Sequence, residues 1–497
     1  MNLSRMFQYR WIATVLLLLV TGGQAQNYDP AQRLSAEQLQ EDFALLRRAL
    51  EATHPGLYRY AGKAETDALF ERISDALDRP LTEREFYQQV AQLSSVIRCG
   101  HSGIRRSQAF YKDRNTRDKY LPLRLAFLNG QAYVRYNLSG NPELAPGRRI
   151  LRLNGRAVSS LVEQMMPYIP GDGTIRSGRM RTLQNNFPIL YHYLIAQPEK
   201  YELEVLNREG QVKKVILDPA TLARSEEVAK ERYPELSEPR PAPLGLELLS
   251  GLKAAVLSIG SFGGRAQDGQ GNSYEDFLQQ SFSRIREEGV TDLIVDLRGN
   301  GGGRDAYGAW LFSYLSDQDF RYYDHLGMVV QKVDFLEHTS LPEGFNDQIA
   351  QRTRVDEKGR RVAVGHPNLQ LQKPKQPGFR GRVVFLIDGG SFSATAEFAA
   401  VAHYRSRGLF IGQESGGGYH GNTSGMSYRL TLPHSNLQIS VPMIKYVSAV
   451  EGYPYPKRGI IPHYRVEPTI DDVLSGQDPV MDFALARIRQ TRPQAQE

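Results

Sequence analysis

A glycine–serine turn near residue 390 has the residue types that nucleophilic catalysis requires. The segment Gly389-Gly390-Ser391-Phe392-Ser393-Ala394 follows an apolar run and opens an alanine-rich run that ends near Gly408. A strand, a tight turn and a helix in succession lift one side chain clear of a sheet, beside the free N–H groups of the helix start. A serine placed there can attack, and the neighbouring amides can receive the developing negative charge. The segment therefore predicts a serine hydrolase.

A second glycine-rich turn follows another apolar run about a hundred residues earlier. The run 292–297 leads directly into Arg298-Gly299-Asn300-Gly301-Gly302-Gly303. Glycine suits an oxyanion site because a side chain would block close approach of the backbone. We expect the N–H of Ala394 and an amide of Gly301 or Gly302 to form that site. A phosphate cradle is the alternative, but the turn lacks the Lys-Ser/Thr pair of a P-loop.

Composition and charge exclude several classes of protein. The chain has 497 residues, of which 41% are hydrophobic and 23% charged, and its net charge is +6. These fractions indicate a soluble globular protein, and the length indicates two to four domains. The basic residues are not clustered, so we expect no nucleic-acid partner. The ten histidines are scattered without a His-Glu-x-x-His motif, and we expect neither a metal nor a cofactor.

The first 25 residues have the pattern of a secretory signal peptide. Arg5 and Arg10 precede the apolar run 12–20, and Gly23-Gln24-Ala25 supplies small residues at the usual cleavage positions. We expect export to a bacterial periplasm or medium, with no membrane span left after cleavage. Cys99 is the single cysteine, which rules out an intramolecular disulfide; a catalytic thiol at Cys99 is the weaker alternative to a small packed residue.

The order of sequence patterns predicts an α/β protein with a helical N-terminal domain and an inserted β-rich domain. Helical periodicity covers 34–98, with a capping box at Thr82 and Glu85, and strand-like alternation covers 118–218. Strands and crossover helices then alternate, and a hairpin is expected over 428–441. The predicted units are a signal peptide (1–25), a helical domain carrying His101 (26–117), a β-rich domain (118–218), a linker (219–245), an α/β domain (246–475), and a C-terminal helix and tail (476–497).

Three segments together resemble the tail-specific (carboxyl-terminal processing) protease family, and in particular its tricorn-like branch. They are the glycine turn at 296–303, the Ser-Phe-Ser-Ala turn at 391–394 and the glycine loop at 412–418. In addition, 144–158 resembles the middle of a PDZ domain, with 164–198 as an insertion. The resemblance implies a crotonase-like catalytic core preceded by a PDZ-like module, a peptide or unfolded protein as substrate, and a homo-oligomer as a frequent state of such proteins.

The same resemblance assigns roles to individual residues. The Ser-x-Ser-Ala pattern of the family places the nucleophile at Ser393, whereas Ser391 is the competing serine of the turn. One branch uses a lysine in a Gly-Lys-Gly loop, but here the loop has no lysine before Lys445. The tricorn-like branch uses a histidine ahead of the PDZ-like module, and His101 in Cys99-Gly100-His101-Ser102 has that position.

Two further positions compete for supporting roles. His420 lies in the glycine loop and is the rival to His101 as general base. Glu451 has the spacing from the serine at which the family places a glutamate that orients the histidine. A solvated surface carboxylate is the alternative for Glu451.

The sequence therefore predicts an exported serine endopeptidase with a Ser393 acyl-enzyme and His101 as base. Two alternatives stay open. One is a non-catalytic peptide-binding relative of the same fold. The other is an acyl-CoA enzyme, because crotonase-type cores share the two-amide oxyanion site.

Overall fold

The structure is a computed structural model that describes residues 28–207, 209–238 and 242–490. The predicted signal peptide, 1–25, and the predicted tail, 491–497, lie outside the described residues. Among the described residues, none of the helices has both the length and the apolar composition that a membrane crossing requires.

The N-terminal region is helical, as the periodicity predicts. The capping box at Thr82 is confirmed: its hydroxyl accepts the N–H of Glu85 (3.2 Å), and the Glu85 carboxylate accepts the N–H of Thr82 (2.8 Å). Such reciprocal bonds satisfy backbone donors that the first helical turn leaves free. The helices are α1 (Ala36–Thr53), α2 (Lys63–Asp75), α3 (Glu83–Val90), α4 (Ser94–Ile97) and α5 (Gln108–Arg117), and the short strands are β1 (Arg33–Leu34), β2 (Leu81–Thr82) and β3 (Ile104–Arg105).

The next region is an antiparallel sheet with the strand order β10-β9-β7-β6-β5, in which β8 also pairs with β7. The strands are β4 (Lys119–Tyr120), β5 (Leu123–Leu128), β6 (Gln131–Asn137), β7 (Arg149–Leu153), β8 (Arg156–Ala157), β9 (Tyr201–Leu206), β10 (Val212–Leu217) and β11 (Ala220–Thr221). The helices of this region are α6 (Val158–Met165), α7 (Ser177–Leu194) and α8 (Leu222–Arg232).

Two segments of this region are more ordered than the sequence suggests. The segment 164–198, expected as an insertion, contributes α7, which packs against β5. The predicted linker 219–245 contains α8, and β11 at its start pairs with β4. The prolines on which the linker prediction depended begin only at Pro234, after α8 has ended.

The α/β core contains a sheet of order β12-β13-β14-β18-β19-β24, parallel except for β12. Its strands are β12 (Leu244–Leu249), β13 (Ala254–Ile259), β14 (Asp292–Asp296), β18 (Arg382–Ile387), β19 (Leu409–Gly412) and β24 (Tyr464–Arg465). The helices are α9 (Tyr274–Glu287), α10 (Asp305–Leu315), α11 (Phe345–Arg352), α12 (Ala394–Tyr404), α13 (Ile470–Ser475) and α14 (Pro479–Gln490).

The central strands of this sheet, β13, β14, β18 and β19, are mainly apolar because helices cover both faces. In β14, Leu293 and Val295 belong to the main core, which also holds the buried side chains of α10 and α12. Ile294 points the other way, into a second cluster with Val480 and Ala484 of α14. Because both faces of the strand are buried, its sequence is a continuous apolar run, and such a run predicts a buried strand.

Smaller sheets complete the core and connect it to the N-terminal region. One has the order β16-β17-β15-β23-β20, and the other is β21-β22-β3. The predicted hairpin is confirmed as the antiparallel pair β21–β22, but its pairing with β3 of the N-terminal region was not predicted. The additional strands are β15 (Tyr323–Gly327), β16 (Thr353–Val355), β17 (Arg361–Ala363), β20 (Thr423–Ser424), β21 (Tyr428–Thr431), β22 (Gln438–Val441) and β23 (Ile444–Ser448).

Candidate active site

Ser393 occupies the sharp turn between β18 and α12. Its backbone has φ 57° and ψ −129°, a conformation that residues other than glycine rarely adopt. Its hydroxyl does not cap the helix; instead Oγ lies 3.1 Å from Nε2 of His101. The strained turn thus aims the hydroxyl at the imidazole, which is the arrangement of an activated serine.

Ser391, the competing serine, has a structural position. Its side chain is fully buried, and its hydroxyl donates to the carbonyl of Leu297 (2.9 Å) while it accepts the N–H of Asp388 (3.1 Å). The bond to Leu297 connects the two glycine-rich turns, and the bond from Asp388 closes the serine turn itself. Ser391 therefore braces the turn that presents Ser393.

The two glycine-rich turns are in direct contact, as the sequence predicts. A Cβ atom on Gly302 would lie 2.7 Å from Cβ of Ser393 and 2.9 Å from N of Ala394, so only glycine fits this contact. The N–H of Gly302 is already used, because it donates to Oδ1 of Asn300 (2.9 Å). No hydrogen bond is formed, within the described chain, by the N–H of Gly301 or of Ala394.

Asp388 fixes the relative position of these turns. Its Oδ1 accepts the N–H of Gly299 and the N–H of Gly390, each at 2.8 Å, and its Oδ2 accepts from Arg181 at 2.8 Å. The buried Asn300 adds a third connection, since its carbonyl accepts the N–H of Phe392 (3.1 Å). The serine turn is therefore preorganised by hydrogen bonds to the backbone.

His101 lies in the loop after α4, and its ring stacks on Phe392 with centroids 4.6 Å apart. Burial lowers the pKa of His101, while the charge of Asp172 and the carbonyl of Thr423 oppose this shift. An imidazole with a lowered pKa is neutral at neutral pH. It can therefore accept the proton of Ser393.

Long-range contacts hold the His101 loop in place. Nε2 of the buried His54 bonds to Oγ of Ser102 (2.9 Å), and the N–H of Ser440 in β22 donates to the carbonyl of Gly103 (2.9 Å). Burial lowers the pKa of His54 to about 4, so it acts as a neutral hydrogen-bonding group. The general base is thus positioned by α1 and by the hairpin of the core.

Asp172 is a site residue that the sequence analysis missed. Its carboxylate is buried and accepts the N–H of Gly100 (2.8 Å) and the N–H of Gly418 (3.3 Å), so it joins the base loop to the glycine loop. Asp172 lies in Gly171-Asp172-Gly173, within the segment taken as an insertion. An aspartate between two glycines, in a stretch without a place in the PDZ-like pattern, was the only local signal.

The structure does not bring Glu451 to the serine–histidine pair. Glu451 is exposed, and within the described residues its side chain makes no hydrogen bond or ion pair. The ring of His420 packs against Tyr419 and Tyr453 rather than against Ser393. Cys99 is buried, and burial raises the pKa of its thiol to about 12, so the thiol is not a nucleophile at neutral pH.

Glu397 is a second buried carboxyl group that was not predicted. It lies one turn after Ser393 in α12 and accepts hydrogen bonds from Tyr323 and from Nδ2 of Asn422 (2.7 Å). Burial, with the charge of Asp305, raises the pKa of Glu397 to about 8. Through Asn422, Glu397 connects α12 to the segment that contains Thr423. The carbonyl of Thr423 in turn accepts a hydrogen bond from Cys99 in the loop that carries His101.

A wide cleft lies between the β-rich region and the α/β core. Its lining includes Arg181 from α7 and Asp388 and Gly389 from the serine turn, but neither Ser393 nor His101. The cleft therefore borders the serine turn without including the reactive hydroxyl.

Comparison with known proteins identifies the α/β core. Residues 253–466 match peptidase family S41. The fold is similar to that of mature CPAF, with a TM-score of 0.64 and 14% identity over 92% of this chain and 99% of that chain. A complex of mature CPAF with lactacystin gives a TM-score of 0.63 and 13% identity over 92% and 98% of the two chains. Among curated proteins, no sequence matches this one.

These similarities confirm the predicted fold class, an α/β protein of the S41 type with additional helical and β-rich regions. The PDZ-like character of the β-rich region stays a prediction, as do the predicted domain boundaries.

Proposed function

We propose that this chain, whose residues 253–466 match peptidase family S41, is an exported serine endopeptidase of the tail-specific type that acts through Ser393 and His101. The observation that carries the proposal is the 3.1 Å contact between Nε2 of His101 and Oγ of Ser393. Helix capping does not explain this contact, because the Ser393 hydroxyl makes no capping hydrogen bond to α12.

In the first step, Oγ of Ser393 attacks the scissile carbonyl and its proton passes to Nε2 of His101. The N–H of Ala394 and the N–H of Gly301 stabilise the oxyanion. We assign Gly301 rather than Gly302 because the N–H of Gly302 already donates to Asn300. The imidazolium then protonates the leaving amine, and water activated by the same imidazole releases the acyl group.

Asp172 supplies negative charge to the imidazolium that forms in this step. One of its oxygens lies within 4.8 Å of a ring nitrogen of His101, and the carboxylate is held in place by two backbone N–H groups. At this distance the charge favours the protonated ring without transfer of a proton to Asp172. We propose Asp172 as the positioning carboxylate in the role for which the spacing suggested Glu451.

Active-site labelling with a fluorophosphonate, followed by mapping of the labelled peptide, tests the assignment of the nucleophile. We expect label on Ser393, no label in Ser393→Ala, and a labelling rate lower by about 10²–10⁴-fold in His101→Ala, the usual contribution of a general base. The variant Ser391→Ala is the matched control, and its labelled peptide should still carry the modification at Ser393. Label on Ser391, or none on a folded protein, would contradict the proposal and favour a non-catalytic peptide-binding protein.

Hydrolysis of unfolded casein, with mass spectrometry of the products, tests the class of substrate. We expect internal cleavage by the wild type and none by Ser393→Ala. An activated serine that cleaves esters but no peptides would contradict the endopeptidase assignment.

Export is supported by the sequence of residues 1–25 alone. N-terminal sequencing of protein recovered outside the cytoplasm should give Gln26 as the first residue. An unprocessed N-terminus in the cytoplasmic fraction would contradict export.

A further inference from the structure

Three side chains of types that commonly bind transition metals lie close together, and one of them is the proposed general base. They are Cys99, His101 and Asp172, and one ligand atom of each lies within 4.8 Å of the other two. Cys99 and Asp172 are buried, and they come from separate segments of the chain. A thiolate, an imidazole and a carboxylate are a ligand set that suits Zn²⁺ and similar divalent ions.

The free nitrogen of His101 gives an independent indication of a ligand. Nε2 is engaged with Ser393, so Nδ1 is the ring nitrogen that is left. Nδ1 is buried and has no hydrogen-bond partner of good geometry among the residues that the structure describes, although the Thr423 carbonyl is near enough to raise the pKa of the ring. A buried polar atom without a partner is unfavourable, because it has given up its hydrogen bonds to water. This nitrogen is therefore available to a ligand that can reach it.

We propose that a zinc-like divalent ion binds to Sγ of Cys99, Nδ1 of His101 and a carboxylate oxygen of Asp172, and that it inhibits the peptidase. The inhibitory part rests on the proposed function of His101 as base. Zinc holds its ligands at about 2.0–2.3 Å, so the three atoms need to approach one another by about 1 Å. Side-chain rotations of this size leave the backbone of both segments in place.

The existing hydrogen bonds are compatible with coordination. Each oxygen of Asp172 accepts one backbone N–H, from Gly100 or from Gly418, and keeps a second lone pair for the ion. The thiol of Cys99 donates to the carbonyl of Thr423 (3.2 Å), and this hydrogen bond is given up. The carbonyl oxygen of Thr423 then lies near the ion as an uncharged group that has lost its hydrogen bond from the thiol.

The mechanism of inhibition follows from the tautomers of imidazole. A base needs an unprotonated Nε2, so its single proton lies on Nδ1. When Nδ1 gives its lone pair to the ion, the proton of the neutral ring moves to Nε2. The Cys99 thiol loses its proton to water on binding. Nε2–H then donates to Ser393 and can no longer accept the proton of the hydroxyl.

Cobalt provides a test that does not depend on activity. Cys99 is the only cysteine of the chain, so a thiolate-to-cobalt charge-transfer absorption reports on this site alone. We expect Co²⁺ to give this absorption with one equivalent bound, Cys99→Ala to abolish it, and Asp172→Asn to weaken Co²⁺ binding at least tenfold. Zn²⁺ should compete with Co²⁺ for the site.

Inhibition is measured as the ratio of activities with and without Zn²⁺ in the same variant. The concentration of Zn²⁺ for half-inhibition should rise at least tenfold in Cys99→Ala and in Cys99→Ser, and it should not change in the surface control His434→Ala. Absence of the cobalt absorption in folded wild type would overturn the proposal. Equal inhibition of wild type and Cys99→Ala would also overturn it, and would point to another site such as the stacked pair His403 and His463. Failure of Ser393 labelling would instead affect the proposed function and leave the cobalt result intact.

Discussion

The nucleophile and the base are held in place in two different ways. Ser393 is positioned within one strand–turn–helix unit, and its main braces, Asp388 and Asn300, lie at the ends of adjacent parallel strands. His101 lies in a loop that is held from outside, by His54 of the N-terminal helices, Asp172 of the β-rich region and β22 of the core. One half of the site is therefore a local structure, and the other is a product of tertiary contacts.

The largest effect on activity is expected at Gly302, where the contact between the two glycine-rich turns leaves no space for a side chain. In Gly302→Ala, the new Cβ would meet Ser393 and the N–H of Ala394 at under 3 Å, and the backbone has a φ of +97°. We expect kcat to fall about 10²–10³-fold, the range found when an oxyanion donor is lost. Gly301→Ala is the matched control, because open space surrounds its Cβ. Equal losses in the two variants, measured by peptide hydrolysis, would show that crowding is not the cause.

Low pH should destabilise the contacts that hold the loop carrying His101, because buried His54 is one of them. The folded-state pKa of His54 is about 4, against an ordinary value of 6.5. The unfolded chain therefore binds the proton more readily below pH 6.5, and the free energy of unfolding falls as the pH drops from about 6.5 to about 4. The difference approaches about 3 kcal/mol, since each unit of pKa corresponds to about 1.4 kcal/mol. Urea unfolding across this range should show a shallower pH dependence in His54→Gln; identical slopes would be evidence against this role.

Two aspartates allow a direct comparison of the halves. Asp172 and Asp388 each accept two backbone N–H groups, but only Asp172 lies beside His101. In Asp172→Asn, the pKa of His101 loses an influence that raises it, so the acid limb of the pH profile of kcat/KM should move to lower pH. We also expect kcat to fall about tenfold, which corresponds to about 1.4 kcal/mol of imidazolium stabilisation.

The control for this experiment is Asp388→Asn. It should disturb the serine turn and lower the activity without moving the acid limb. A shift of the same size in both variants would show that the effect of Asp172 is structural and not electrostatic.

The smallest effect is expected at Glu451. Its side chain is exposed and has no partner among the described residues, so Glu451→Gln should change kcat/KM less than about twofold, within the usual range for surface positions. A loss of tenfold or more would mean that Glu451 moves to His101 when substrate binds. It would then restore the role that the family spacing suggests.

The contrast between the two halves also explains what the sequence could predict. The serine turn and the glycine turn were each predictable because an apolar run, glycines and a helix start are adjacent in the chain. Their contact followed from placing the two preceding strands side by side in one parallel sheet. The bracing by Asp172, the support from His54 and the pairing of β3 with β22 join residues far apart in sequence, and no local pattern encodes them. His101 was found through family resemblance, since a lone histidine in a loop carries no such signal.

The pairing of β3 with β22 has a consequence for biosynthesis. Ser393 and His101 are 292 positions apart, and the strand that anchors the histidine loop begins only at Gln438. Chains emerge from the ribosome N-terminus first, and their domains fold as they appear. A nascent or truncated chain that ends before Gln438 contains both reactive groups but lacks the strand that anchors the base. The loop that carries His101 can therefore gain its strand pairing only after residues 438–441 have been synthesised.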